Sequence, residues 1–99
     1  MLHIINKSPF NSNSLTSCLR VAASNSTILL IEDGVYAALA NTSFADLINS
    51  ALEKHSIYAL KADIEARGLN AKIIPTVKIV DYDGFVDLTL TCHPIQSWS

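Results

Sequence analysis

Thiol chemistry is open to only two side chains in this sequence, Cys18 and Cys92, the two cysteines among its 99 residues. A thiolate can attack, bind metal or exchange disulfides, and its access and protonation decide which of these it does. Cys92 is followed by His93, on paper a base beside a nucleophile. Neighbouring helical residues point about 100° apart, however, so adjacency does not make a pair, and a thiol at the end of a helix lacks the N-terminal dipole that would activate it. Cys18 lies among Leu15, Leu19 and Ala22 at helical spacing, the setting of a small apolar side chain in a core. Arg20 is close by in sequence, so packing residue and reactive thiol both stay open as readings of Cys18.

Other chemistries find less support. Two lone cysteines and three dispersed histidines do not have the spacing of a metal site, and no glycine-rich phosphate loop is present; neither metal nor cofactor is expected. Lys7 and Ser8 close one apolar run, and Asp33 and Gly34 close another. The carboxyl ends of strands in open α/β sheets are where ligands and partners dock, although these residue types are also ordinary turn formers.

The elements that would position these groups can be read from the pattern. Leu2 to Ile5 is a short apolar run ended by Asn6, Lys7, Ser8 and Pro9, as for a buried strand entering a loop. Asn13 or Ser14 caps a helix that ends near Ser24. Thr27 to Ile31 is a strand covered on both faces. Val35 to Leu39 and Phe44 to Leu52 form two helical pieces, Ile57 to Leu60 a third strand, and Ala62 to Arg67 a short helix closed by Gly68. Val77 to Val80 is a fourth strand. Asp83-Gly84 is a hairpin signal, but Tyr82, Phe85, Val86, Thr89 and Leu90 behind an Asp81 cap fit a helix better. Ile95 to Trp98 makes the fifth strand. Strands alternating with helices predict one α/β domain over residues 1–99, a mostly parallel five-stranded sheet with helices on both faces.

Composition narrows the class further. Half the residues are apolar and 16% are charged, with a positive mean hydropathy. A small monomer has much surface to cover with polar groups, so some apolar surface is expected to meet another subunit. The net charge is −2 with Lys and Arg scattered, which disfavours direct nucleic-acid binding. The apolar runs fall far short of the roughly 20 residues of a membrane helix, and no signal core is visible at the N-terminus. A cytoplasmic protein with two free thiols is expected.

In order along the chain stand Met1-Leu2-His3, Asn6-Lys7-Ser8-Pro9-Phe10, Leu29-Leu30-Ile31-Glu32-Asp33-Gly34-Val35 and Tyr58-Ala59-Leu60. Asp63, Ala66-Arg67-Gly68-Leu69, Val80-Asp81-Tyr82-Asp83-Gly84-Phe85-Val86 and Gln96-Ser97-Trp98 follow. Together these stretches resemble the DsrH/TusB family of DsrE-like sulfur-relay proteins, over the whole chain. The resemblance implies a subunit of a heterohexamer shared with DsrE/TusD-like and DsrF/TusC-like chains. Such assemblies pass persulfide sulfur to a downstream acceptor, for 2-thiouridine at a tRNA wobble position or for sulfur oxidation linked to dissimilatory sulfite reductase. A cysteine in the first helix, as Cys18 would be, is common in the oxidation branch, which makes Cys18 the candidate catalytic persulfide carrier.

The resemblance also implies a departure. In the active chain of these assemblies the sulfur-carrying cysteine precedes the short helix that ends in Arg-Gly, and here Leu60 or Lys61 holds that place. An auxiliary subunit is the leading expectation. A transferase subunit using Cys18 is one alternative, and a small-molecule module with a cleft lined by Lys7, Ser8 and Asp33 is another. At the C-terminus, Trp98 is large enough to dock the tail, and is expected beside Phe85 or Val86.

Overall fold

The computed structural model describes all 99 residues. Its strands are β1 (Leu2–Ile5), β2 (Thr27–Leu30), β3 (Ser56–Leu60), β4 (Lys78–Val80) and β5 (Ile95–Trp98). Its α-helices are α1 (Ser14–Val21), α2 (Ala45–Ala51), α3 (Lys61–Ala66) and α4 (Tyr82–Thr91), joined by 3₁₀ helices at Glu32–Ala38 and Asn70–Lys72. The strands form one sheet in the order β4-β3-β2-β1-β5, parallel at every pairing.

That order decides where each helix lies. The chain steps outward from β1 through β2 and β3 to β4, and right-handed crossovers place α1, α2 and α3 on one face. It then returns across the whole sheet to β5, which puts α4 on the opposite face by the same rule. Two contacts agree. A Cβ added to Gly84 would stand 3.1 Å from Val80 Cβ, and Cys92, just beyond α4, has its sulfur 3.8 Å from Thr27 Oγ1.

Alternation sorts the strand residues between the two faces. His3, Ile5, Ile28, Leu30, Ile57 and Ala59 share one face through their register, and all but His3 belong to a sixteen-residue core cluster that also takes in Leu15, Cys18, Val35, Ile48, Ile64 and Leu69. Leu2 and Leu29 point to the other face and are fully buried there. Burying each such side chain contributes roughly 1.5–3 kcal/mol. None of the residues from Lys78 to Ser99 is buried, and α4 in particular has no buried residue.

Local details follow from residue type. The first helix stops at Val21 rather than near Ser24, and Asn13 makes no side-chain cap; Ser12 Oγ instead accepts from the Ser14 N–H at 3.1 Å. The helical piece after β2 is 3₁₀ and lies against the end of β1, where a Cβ on Gly34 would fall on the Ile5 carbonyl oxygen. Gly68 takes φ +66° after α3, the left-handed closure open to glycine. Asp81 Oδ1 accepts from the Gly84 N–H at 2.8 Å, so the ambiguous stretch is a capped helix.

The C-terminal indole lies elsewhere than expected. Trp98 pairs in register with Ile5, which sets it on the face of Ile5 and His3, away from α4 and its Phe85 and Val86. Its Nε1–H donates to His3 Nδ1 at 3.1 Å.

Candidate functional site

Three segments converge at the carboxyl ends of β2 and β3: the turn leaving β2, the 3₁₀ helix that follows it, and α3. Arg67 ties them together. Its Nε–H and Nη2–H donate to Asp33 Oδ1 at 3.0 and 2.8 Å, and its Nη1–H donates to the Asp63 carbonyl at 3.1 Å. The guanidinium also lies over the Tyr36 ring, 6.0 Å from its centroid, within the range of a cation–π contact. The Asp33 hydrogen bond, aided by the charges of Asp33 and Asp63 and opposed by partial burial, raises the Arg67 pKa above its already high value.

Asp63 completes the clasp by accepting the Glu32 N–H on Oδ2 at 2.7 Å. Glu32 holds φ +50°, a left-handed backbone that costs a residue with a side chain about 1–2 kcal/mol. The Asp63 bond and the Arg67–Asp33 pair hold that turn in place. The clasp therefore fixes how the β2 exit sits against the start of α3, the point occupied by Leu60 and Lys61. It contains no thiol, no serine or threonine hydroxyl and no histidine. No group of three His, Cys, Asp or Glu side chains converges as metal ligands would.

The cleft residues named from sequence do come together. Lys7, Ser8 and Asp33 line an open groove of about 450 Å³ with Asn11, Ser12 and Ser99, and none of these six is apolar. Small-molecule pockets are usually enclosed and mostly apolar, with a few convergent polar groups. Here Ser8 Oγ accepts the Phe10 N–H at 3.2 Å, and the Asp33 carboxylate is engaged by Arg67.

The two thiols are free, and neither belongs to the clasp. Cys18 belongs to the core cluster and is 0% exposed. Burial pushes its thiol up to about 11, so at neutral pH it is held protonated in this conformation. Arg20 is exposed on another side of α1. Cys92 is half-buried and contacts Thr27, whereas His93 Nε2 stands 2.8 Å from the Leu90 carbonyl and donates to it. That bond turns the imidazole toward the end of α4.

A family model described as DsrH like protein matches residues 7–94. The chain belongs to the DsrH/TusB family. Protein TusB of Enterobacter sp. (strain 638) is 39% identical over 99 residues, covering 99% of this chain and all of that one. Protein TusB of Buchnera aphidicola subsp. Baizongia pistaciae is 39% identical over 98 residues, and that of Yersinia pestis (strain Pestoides F) 36% over 98, each with 99% of this chain and 100% of the relative covered. Among solved structures, the crystal structure of the ychN protein from E. coli superposes with a TM-score of 0.80 over 97% of both chains at 19% identity, a likeness of fold. The five-stranded parallel sheet with helices on both faces is thus the DsrE-like arrangement anticipated from sequence.

Within this DsrH-family chain, the clasp residues are the ones sequence reasoning underused. Asp33, Asp63 and Arg67 all fell in the matching stretches, but Asp33 and Arg67 are 34 positions apart. Only the adjacency of β2 and β3 brings them together. Glu32 fell in the same stretch as Asp33, and Tyr36 carried no signal of its own.

Proposed function

We propose that this chain is an auxiliary subunit of a cytoplasmic sulfur-relay heterohexamer, working beside DsrE/TusD-like and DsrF/TusC-like chains. Its part is to complete the assembly and shape the surface around the active chain's thiol. In the relay step, an attacking thiolate takes the outer sulfur of a donor persulfide; the S–S bond breaks, the donor leaves as a thiolate, and no net oxidation occurs. The observation that carries the reading is the start of α3. The clasp that positions this point is intact, yet Leu60 and Lys61 stand where the family resemblance puts the active chain's cysteine. The sealed Cys18 thiol supports the same reading. Full-length likeness to proteins named TusB favours service in 2-thiouridine formation at a tRNA wobble position over the sulfur-oxidation branch.

The test is intact-mass spectrometry on the co-expressed assembly after incubation with a persulfide donor. The expected result is the mass of one added sulfur atom on a sister chain and none on this one, unchanged by Cys18→Ser. Sulfur on this chain that disappears in Cys18→Ser would instead make it a sulfur-carrying transferase subunit. Failure to co-purify with the sister chains under any condition would overturn the assembly role itself.

A further inference from the structure

We infer that the outer side of α4 is the surface through which this chain binds a sister subunit, and that the sister presents an apolar patch bordered by lysine or arginine side chains there. The inference rests on the reading of the chain as an assembly subunit, and adds which face is used and what chemistry meets it.

The first ground is burial. Helix α4 is apolar enough for a core helix, with Phe85, Val86, Leu88 and Leu90 among ten residues, yet none of its residues is buried. Its inner side rests on the sheet near Val80, and Phe85 packs edge-to-face with Tyr82 at 5.9 Å. Tyr82 remains 70% exposed and Leu90 67%. Ile95, which shares the α4 face of the sheet through its register with Leu2, is also exposed. Isolated exposed apolar side chains need no explanation, but several grouped on one helix and the adjoining edge strand mark a contact surface.

The second ground is charge. Between Ile79 and Ser99 there are three aspartates, Asp81, Asp83 and Asp87, and no lysine or arginine. Asp81 is occupied as the helix cap. Asp83 and Asp87 stand four apart, a spacing at which like charges repel on a helix surface. The ion pairs of the molecule are those of Arg67 with Asp33 and Asp63, so neither α4 carboxylate is neutralised within the chain. Leu90 continues the same stripe three residues after Asp87, which puts the apolar anchor and the acids in one surface. Interfaces commonly combine an apolar centre with a polar rim, and the complement of this one is apolar with a cationic border.

The same charges argue against a second copy of this chain as occupant. A two-fold contact centred on α4 would set Asp83 and Asp87 against their own equivalents, and like-charge juxtaposition across an interface is strongly unfavourable. A sister chain of opposite local charge has no such conflict.

The experiment measures co-elution and affinity of the purified chain with its co-expressed sister subunits, for wild type, Leu90→Asp, Asp83→Lys/Asp87→Lys and the control Val21→Asp. Val21 is another exposed apolar residue, on α1 and thus on the opposite side of the sheet. All four positions are exposed, and thermal unfolding checks that each variant folds. Both α4 variants should weaken binding by about tenfold or more, as loss of a central anchor or of its charge match does. Val21→Asp should bind as wild type, and the wild-type affinity should fall with added salt while the doubly substituted variant loses that dependence. Wild-type affinity in folded α4 variants, or loss of binding only in Val21→Asp, would overturn the inference and leave the assembly role standing. A homodimer abolished by Leu90→Asp would overturn the choice of partner. If wild type binds no sister chain, both readings fall together.

Discussion

The chain divides at Lys78 into two regions of similar hydrophobic pattern and different fate. Up to Val77, apolar residues at strand and helix spacing end in a packed core that holds Ile28, Leu30, Ile48, Ile57 and Ile64 at almost no exposure. From Lys78 on, an equally apolar pattern builds two edge strands and a helix in which no side chain is buried. The difference is geometric. Three helices and a 3₁₀ segment share the first face of the sheet, whereas α4 crosses the second alone and cannot cover both the sheet and its own outer side. A hydrophobic period specifies that a face will be covered, not that the same chain covers it. The comparison supports a subunit whose last 22 residues are finished by a partner.

The sharpest contrast comes from equal truncations in the two regions. Leu30→Ala should cost the isolated chain about 2–5 kcal/mol, the usual range for a fully buried leucine. Leu90→Ala should change stability by less than about 0.5 kcal/mol, as for exposed sites. Urea unfolding of both variants checks this, and a loss of similar size at Leu90 would erase the proposed boundary between the regions.

A second prediction concerns a side-chain link from the C-terminal region to β1, the indole of Trp98 on His3. Deleting Gln96 to Ser99 removes this contact and the β1–β5 pairing. The thermal midpoint should fall by several degrees, at about 4–8 °C per kcal/mol for a domain of this size. Trp98→Phe keeps an aromatic ring without the donor and should cost about 1 kcal/mol. A midpoint unchanged within about a degree in the truncated chain would show that the tail does not stabilise the fold.

The smallest expected effect is a pH dependence of that link. His3 is 2% exposed and accepts the indole N–H on Nδ1, so the ring must be unprotonated there. Burial, the N-terminal ammonium and His55 all lower its pKa from the usual 6.5. The unfolded chain therefore takes up the proton first as pH falls. The contribution of His3 is full above about 6.5 and is lost as pH drops toward the lowered folded value. His55, lowered by burial and by Lys54, acts with the same sign. Unfolding midpoints at pH about 7.5 and about 5.5 should differ more in wild type than in His3→Gln, which keeps an acceptor without a titration; equal differences would remove His3 from the account.

What could be read from the sequence was what is local. Apolar runs placed β1 and β2, Asp81 placed the start of α4 against a competing hairpin signal, and Gly68 placed the end of α3. The alternation of strands and helices led to a parallel sheet with helices on both faces. Contacts that depend on which strands become neighbours were not legible. Arg67 reaches Asp33 only because β3 lies beside β2, and Trp98 reaches His3 only because β5 docks beside β1. The expectation that Trp98 packs near Phe85 failed for this reason: pairing with Ile5 turned the indole to the face opposite α4. Cys18 could be placed on an apolar helical stripe from spacing alone, but how completely the core closes over its thiol depends on the sheet beneath and the helices beside it.

Completion of residues 78–99 by a sister subunit can be followed by hydrogen–deuterium exchange of this chain alone and within the co-purified assembly. Exchange reports local opening region by region, so the two regions can be compared in one measurement. Amides of α4 should gain protection on assembly, while those of β2 and β3, already protected in the isolated chain, should change little. Protection confined to the face of α1, with α4 exchanging as fast in the assembly as in the free chain, would contradict it.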